Sequence, residues 1–175
     1  VIRAALLSFK PHITFNLLEE FHGVATYDQH IASYLELIRQ PYTGCNPRGL
    51  MLSHDKTLSK QILQFHQIPT PRFTVYERGS TITPSEDMTY PMFVKSATED
   101  ASFGLSNKSI VNTPEELRER VQHCYDEIKT AALVEEYIEG REFYVGVLGN
   151  RQLTVLPIWE LLMTNLPAGE PNIAT

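Results

Sequence analysis

Thr113-Pro114-Glu115-Glu116 sets the start of a helix more firmly than any other stretch of this chain. A threonine can accept an orphan amide bond of the first helical turn, proline suits the first helical position, and a glutamate three residues after the threonine completes a capping box. The pattern predicts a helix running to about Lys129, with Leu117, Val121, Cys124, Tyr125 and Ile128 inward. Strand-like segments flank it. Arg72 to Tyr76 alternates as a strand does; Met92 to Lys95 and Ala132 to Tyr137 read as strands, and Ser109 to Val111 as a short one. Residues 71–137 therefore read strand, strand, loop, strand, helix, strand, a compact α+β unit.

Before this unit, residues 1–9 read as the end of a helix and Ile13 to Leu18 as a short buried strand. Ile31, Tyr34, Leu35 and Ile38 mark one face of a helix over about 27–39, which Pro41 ends. A turn at 43–47 leads to a short helix at 48–53. A second helix, from Asp55 to about His66, carries an apolar stripe of Leu58, Ile62 and Phe65. After the unit, 142–148 and 152–159 read as two strands joined at Gly149-Asn150. The expected organisation is four parts: 1–42, the last part of an α/β domain; 43–70, linking helices; 71–139, a small lobe; and 140–175, the start of something larger.

With 175 residues, 42% apolar and 21% charged, the chain has the composition of an ordinary soluble globular protein. A net charge of −6 with no basic block argues against a nucleic-acid surface. No run approaches the ~18 consecutive apolar residues of a membrane helix. The apolar start, Val1 to Leu7, is too short for a signal peptide, and the missing initiator Met is what an excised segment would show. Cys45 and Cys124 form no CxxC, so a cytoplasmic protein with free thiols is expected. The six histidines show no metal-ligand spacing.

The residues that could carry chemistry come in a fixed order. They are Pro41-Tyr42-Thr43-Gly44, Asp55-Lys56, Pro91-Met92-Phe93-Val94-Lys95, Ala101-Ser102-Phe103-Gly104, Val134-Glu135-Glu136 and Gly140-Arg141-Glu142-Phe143. Taken singly, Lys56 and Lys95 read as solvated surface lysines, and Glu135, Glu136 and Glu142 as exposed strand charges. A lysine closing a strand beside a cleft can also hold polyphosphate as a point charge. A loop such as 95–104 can cradle phosphate oxygens with its backbone N–H groups, Gly104 permitting a turn with φ > 0.

In that order and spacing the motifs resemble the ATP-grasp superfamily, and within it the D-alanine–D-alanine ligase branch, over most of residues 13–160. The resemblance implies that Lys56 and Lys95 contact the phosphates of ATP and that Ser102, Phe103 and Gly104 belong to the loop covering them. It implies that Glu135, Glu136 and Ile138 form the hinge that holds adenine, and that Glu142 takes the ribose hydroxyls. Mg²⁺ is implied as well, with its ligands expected beyond residue 175. Relatives often form homodimers through the N-terminal lobe.

The chain departs from the ligase pattern at several points. Ser96 stands where proline usually follows the lysine, and Asp100-Ala101 replaces the first two residues of Gly-Ser-Ser. Lysine is common in relatives at the position of Glu136. Upstream, Thr26-Tyr27-Asp28-Gln29 stands in place of Gly-Glu-Asp-Gly, so Tyr27 replaces the glutamate that would bind a substrate ammonium group. Asp28 matches the family's acid but reads equally as a helix cap. Glu160 is a further substrate-end candidate, with plain exposure at the end of a hairpin as its alternative. The expected function is part of an ATP-dependent carboxylate–amine or carboxylate–thiol ligase acting through an acyl-phosphate, with a small carboxylate substrate other than paired D-alanines. Without its metal-ligand region the segment itself is expected to be inactive. A non-catalytic nucleotide-binding or scaffold module is the alternative, and a plain α+β folding unit a third.

Overall fold

The structure, a computed structural model, describes residues 2–163. A first helix, α1 (Ile2–Phe9), precedes α2 (Asp28–Leu37), α3 (Pro47–His54) and α4 (Lys56–Phe65). Strands β1 (Phe73–Tyr76), β2 (Met92–Ser96) and β3 (Ile110–Val111) follow, then α5 (Pro114–His123) and β4 (Ala132–Glu136). The described chain closes with β5 (Glu142–Tyr144), β6 (Val147–Gly149), β7 (Leu153–Val155) and β8 (Trp159–Leu161).

The first four strands make one antiparallel sheet in the order β1-β4-β2-β3. The cap that starts α5 forms largely as the sequence indicates. Thr113 Oγ1 accepts from the Glu116 N–H at 3.2 Å, and Glu116 reaches back to the N–H of Asn112 at 2.7 Å, one residue earlier than an ordinary box. Past His123 the helix widens into a π-helical turn, Cys124–Ile128, which ends at Lys129 with φ 68°. Leu117, Val121, Cys124 and Tyr125 are buried against Met92, Val94, Val111, Ala132 and Val134. Truncating a large side chain in such a core costs about 2–5 kcal/mol. Cys45 and Cys124 are both free thiols, and burial pushes the Cys124 thiol up.

Period-two alternation splits β2 between two environments. Met92, Val94 and Ser96 face α5, while Phe93 and Lys95 face the other way. Phe93 and Phe73 sit opposite Glu135 in the neighbouring strands, so all three share that second face with Lys95. Helix α4 lies over this face, which leaves the central strand β4 buried on both sides from Ala132 to Glu135.

Three expectations need correction. Residues 13–18 form no strand: Thr14 makes a single parallel bridge to Tyr42, and Ile13, Phe15 and Leu17 are exposed. The Leu58-Ile62-Phe65 stripe is not the inner face of α4; Phe65 is 82% exposed, and the buried residue of that helix is Lys60. The two long hairpin strands are each broken in two. Gly146 O still accepts from the Leu156 N–H at 2.8 Å, but beyond it the register slips by one, Tyr144 pairing with Trp159. Pro157 lies in that bulge and has no N–H to offer a ladder. Every residue from Glu142 to Glu160 is exposed.

Candidate functional site

A cleft of about 440 Å³ opens where the sheet ends and the hairpin begins. The Glu135–Ile138 segment forms one wall, with Phe93 and Pro71 beside it, Ser102 and Leu105 on the flank of the 96–108 loop, and Glu142 and Tyr144 from the hairpin. Tyr137 stacks on Phe93 with ring centroids 6.4 Å apart, giving this wall a flat apolar surface. The N–H groups of Glu136 and Tyr137 are spent on Arg72 O and Pro91 O, at 3.0 and 3.1 Å. The Ile138 N–H has no partner among the described residues, and Ile138 lines the cleft.

Behind this wall lies an ion cluster. Glu135 Oε1 is 2.5 Å from Lys95 Nζ, and Oε2 is 2.8 Å from Lys60 Nζ. Lys60 also donates to Thr70 Oγ1 at 2.6 Å and stands 5.1 Å over the Phe73 ring. Burial alone would raise the Glu135 carboxyl, but Lys95 and Lys60 together outweigh it and hold the group below its ordinary value. Lys60 was missed by the sequence reading. It stands four residues after Lys56, the spacing that sets two side chains on one helix face, and that was the available signal.

A second cluster ties the loop to the helices. The Lys56 N–H donates to Ala97 O at 3.1 Å, which fixes the start of α4 just past the end of β2. Its Nζ lies 2.9 Å from Asp100 Oδ1 and donates to Glu99 O at 2.5 Å. The other Asp100 oxygen is 2.8 Å from His54 Nδ1, an ion-pair distance without hydrogen-bond alignment. His54 Nε2 meets Asp28 Oδ2 at 3.1 Å, with both residues buried.

The loop between the clusters is pinned at both ends. Buried Ser96 accepts from the N–H groups of Thr98 and Glu99 at 3.1 and 2.9 Å. Arg120 on α5 grips the Gly104 carbonyl and donates to Ser109 Oγ at 2.9 Å. Between the pins, Ala101 and Ser102 both have positive φ, 52° and 58°, and Phe103 N–H closes back on Asp100 O at 3.0 Å. These are the features of a type I′ turn, a conformation unfavourable for residues other than glycine or asparagine. At Gly104, φ is +75° and an added Cβ would stand 2.5 Å from Ile128 Cδ1.

Of the residues singled out from sequence, Ser102, Glu135, Glu136, Ile138 and Glu142 share the cleft. Lys95 reaches Glu135 beside it, and Lys56 holds the loop that flanks it. Phe103 is 60% exposed and outside the cleft lining, and Gly104 belongs to the opposite side of the loop, over α5. Glu136 is paired with Arg72 at 2.7 Å, and Glu142 accepts from Tyr144 Oη at 2.7 Å. Asp28 is spent on His54 and on the Gln29 N–H, with no side-chain cap to α2. Glu160 stands 3.8 Å from Arg141 on the hairpin, outside the cleft lining. Among the described residues no three His, Cys, Asp or Glu side chains converge as a metal ion would require, and no helix is long and apolar enough to cross a membrane.

This mixed α/β arrangement matches solved structures of D-alanine–D-alanine ligases over about half their length. The crystal structure of D-alanine–D-alanine ligase from Bacillus anthracis complexed with ATP superposes with a TM-score of 0.74 at 23% identity, over 94% of this chain and 53% of that one. The family model for the D-ala D-ala ligase C-terminus matches residues 61–166, and the chain belongs to that family. A D-alanine–D-alanine ligase of Pelotomaculum thermopropionicum is 31% identical over 150 residues, covering 81% of this chain and 46% of that protein. Uncharacterized protein y4sG of Sinorhizobium fredii is 39% identical over 148 residues, covering 85% and 42%. The chain thus spans less than half the length of these two relatives.

Proposed function

We propose that this chain supplies the nucleotide half of an ATP-dependent ligase that activates a small carboxylate and passes it to an amine or thiol through an acyl-phosphate. The observation that carries the reading is the cleft itself. It combines a flat aromatic wall, an unpartnered Ile138 N–H, the Glu142 carboxylate and, alongside, two lysines on flexible stems. The fit is specific in kind: an adenine edge can accept from Ile138 N–H, ribose hydroxyls can donate to Glu142, and Lys95 and Lys56 are the cations proposed to meet a phosphate chain. Residues 100–104 would close over the phosphates, and the lysine charges would neutralise them while the reacting groups are held together. Mg²⁺, when bound, would share that neutralisation.

The domain plan follows the same reading: 71–139 as the small ATP-grasp lobe, 140–175 as the start of the large one, 43–70 as linking helices, and 1–42 as the end of a preceding α/β domain. The substrate differs from paired D-alanines. Tyr27 carries no carboxylate for an ammonium group, and Asp28 is buried against His54. Homodimerisation and a cytoplasmic location belong to this proposal. The test is phosphate release from ATP by the whole ligase of which this chain is the proposed nucleotide half, across a panel of carboxylates and amines. Release with a carboxylate–amine pair other than D-alanine with D-alanine supports it; saturable ATP binding with no release across the panel favours the non-catalytic module.

A further inference from the structure

Resting on that nucleotide reading, we infer that Lys60 is a positioning residue whose task is to keep Glu135 paired so that Lys95 is free to move to the phosphates. Glu135 offers one oxygen to each lysine, and the two lysines differ in freedom. The Lys60 side chain is 9% exposed and locked by Thr70 and the Phe73 ring, whereas the Lys95 side chain is 26% exposed and held by Glu135 and the face of Phe93. One cation is built in and the other is on loan.

The physical reason for two cations is the cost of a bare buried carboxylate. Were Lys95 the only partner, each departure toward a phosphate would leave an unpaired charge in a site where the Glu135 side chain is 11% exposed. With Lys60 in place the carboxylate stays neutralised. The cluster of two ammonium groups and one carboxylate carries a net charge of +1, so it attracts an anion instead of being indifferent to it. Lys60 needs no contact with the nucleotide to have this effect.

The experiment is ATP affinity by isothermal titration for the protein, Lys60→Met, Glu135→Gln and the double variant, with thermal unfolding run in parallel. Expected for Lys60→Met is a Kd raised about tenfold or more, because Lys95 must now choose between Glu135 and phosphate. Glu135→Gln serves as the reference for the double variant, because it removes the carboxylate that Lys60 and Lys95 share and alters the cleft wall equally in both. The double variant should bind within about threefold of Glu135→Gln alone. It carries no buried unpaired charge, so the comparison stays readable should Lys60→Met fail to fold.

Two results would overturn the inference alone: unchanged affinity in a folded Lys60→Met, or a double variant about tenfold weaker than Glu135→Gln, which would put Lys60 on the nucleotide itself. Absence of any saturable ATP binding by the unsubstituted protein would overturn both the inference and the nucleotide reading beneath it.

Discussion

Glu135 and Asp100 each hold a lysine with one oxygen and meet a second side chain, Lys60 or His54, with the other, yet they are built on different supports. Glu135 sits on the central strand of the sheet, faced by a helix, with its side chain 11% exposed. Asp100 sits on a loop, next to two residues in left-handed conformations, with its side chain 44% exposed. Equal ion chemistry therefore has unequal consequences. In the deep cluster the charges cannot be rehydrated, so each must keep a partner; in the loop cluster water replaces a lost partner at little cost. The deep cluster belongs to the fold as much as to the site, and the loop cluster to the site alone.

The comparison breaks most easily at its deep end. Glu135→Ala leaves Lys60 buried with no carboxylate and should cost about 3 kcal/mol of unfolding free energy in urea titration. A loss under about 1 kcal/mol would mean that the cluster is not a structural unit. The same carboxylate predicts the direction of the pH response. Its pKa is held below the unfolded value of about 4.5, so its contribution is fully present above that value and is lost as pH falls through the folded one. Thermal unfolding of the protein should therefore show an acid-side loss of stability that is smaller in Glu135→Gln.

Gly104→Ala tests how firmly the loop is fastened. The substitution forces a Cβ onto Ile128 Cδ1 at φ +75°, and should cost about 1–3 kcal/mol in the same unfolding assay. The smallest stability effect belongs to Asp100→Asn, within about 1 kcal/mol, because the pair it removes is half in water. Its ATP affinity should rise, since Lys56 no longer has to leave a carboxylate to reach phosphate. If Asp100→Asn were as destabilising as Glu135→Ala, the two clusters would be alike and the distinction would fail.

Local signals made the small lobe legible in advance. The Thr113-Pro114 start, the inward Leu117-Val121-Cys124-Tyr125 stripe, the alternation of β1 and the short apolar runs of β2 and β4 each depend on neighbours close in sequence. What escaped depended on long-range partners. The apolar residues of α4 suggested that Ile62 and Phe65 faced inward, but the sheet beneath offers Glu135, and the helix turns Lys60 toward it. Apolar content made 13–18 look like a strand, yet only Thr14 finds a ladder partner, and no further described strand lies beside it. In the hairpin, Pro157 was readable and its effect on register was not, because a bulge depends on what the opposite strand does. His54 showed no metal spacing, and its place between Asp28 and Asp100 joins three segments that no local pattern connects.

The central claim is that Lys56 and Lys95, remote in sequence, both meet the phosphates of one nucleotide in this cleft. An acyl-phosphate derivative of ATP, which acylates amines lying beside bound phosphates, tests it directly when the modified lysines are mapped by peptide mass spectrometry. The expected result is acylation of Lys56 and Lys95, suppressed by excess ATP, with the exposed Lys10, Lys108 and Lys129 modified only in an ATP-insensitive way. Modification confined to those three exposed lysines, or modification of Lys56 and Lys95 that excess ATP leaves unchanged, would contradict it.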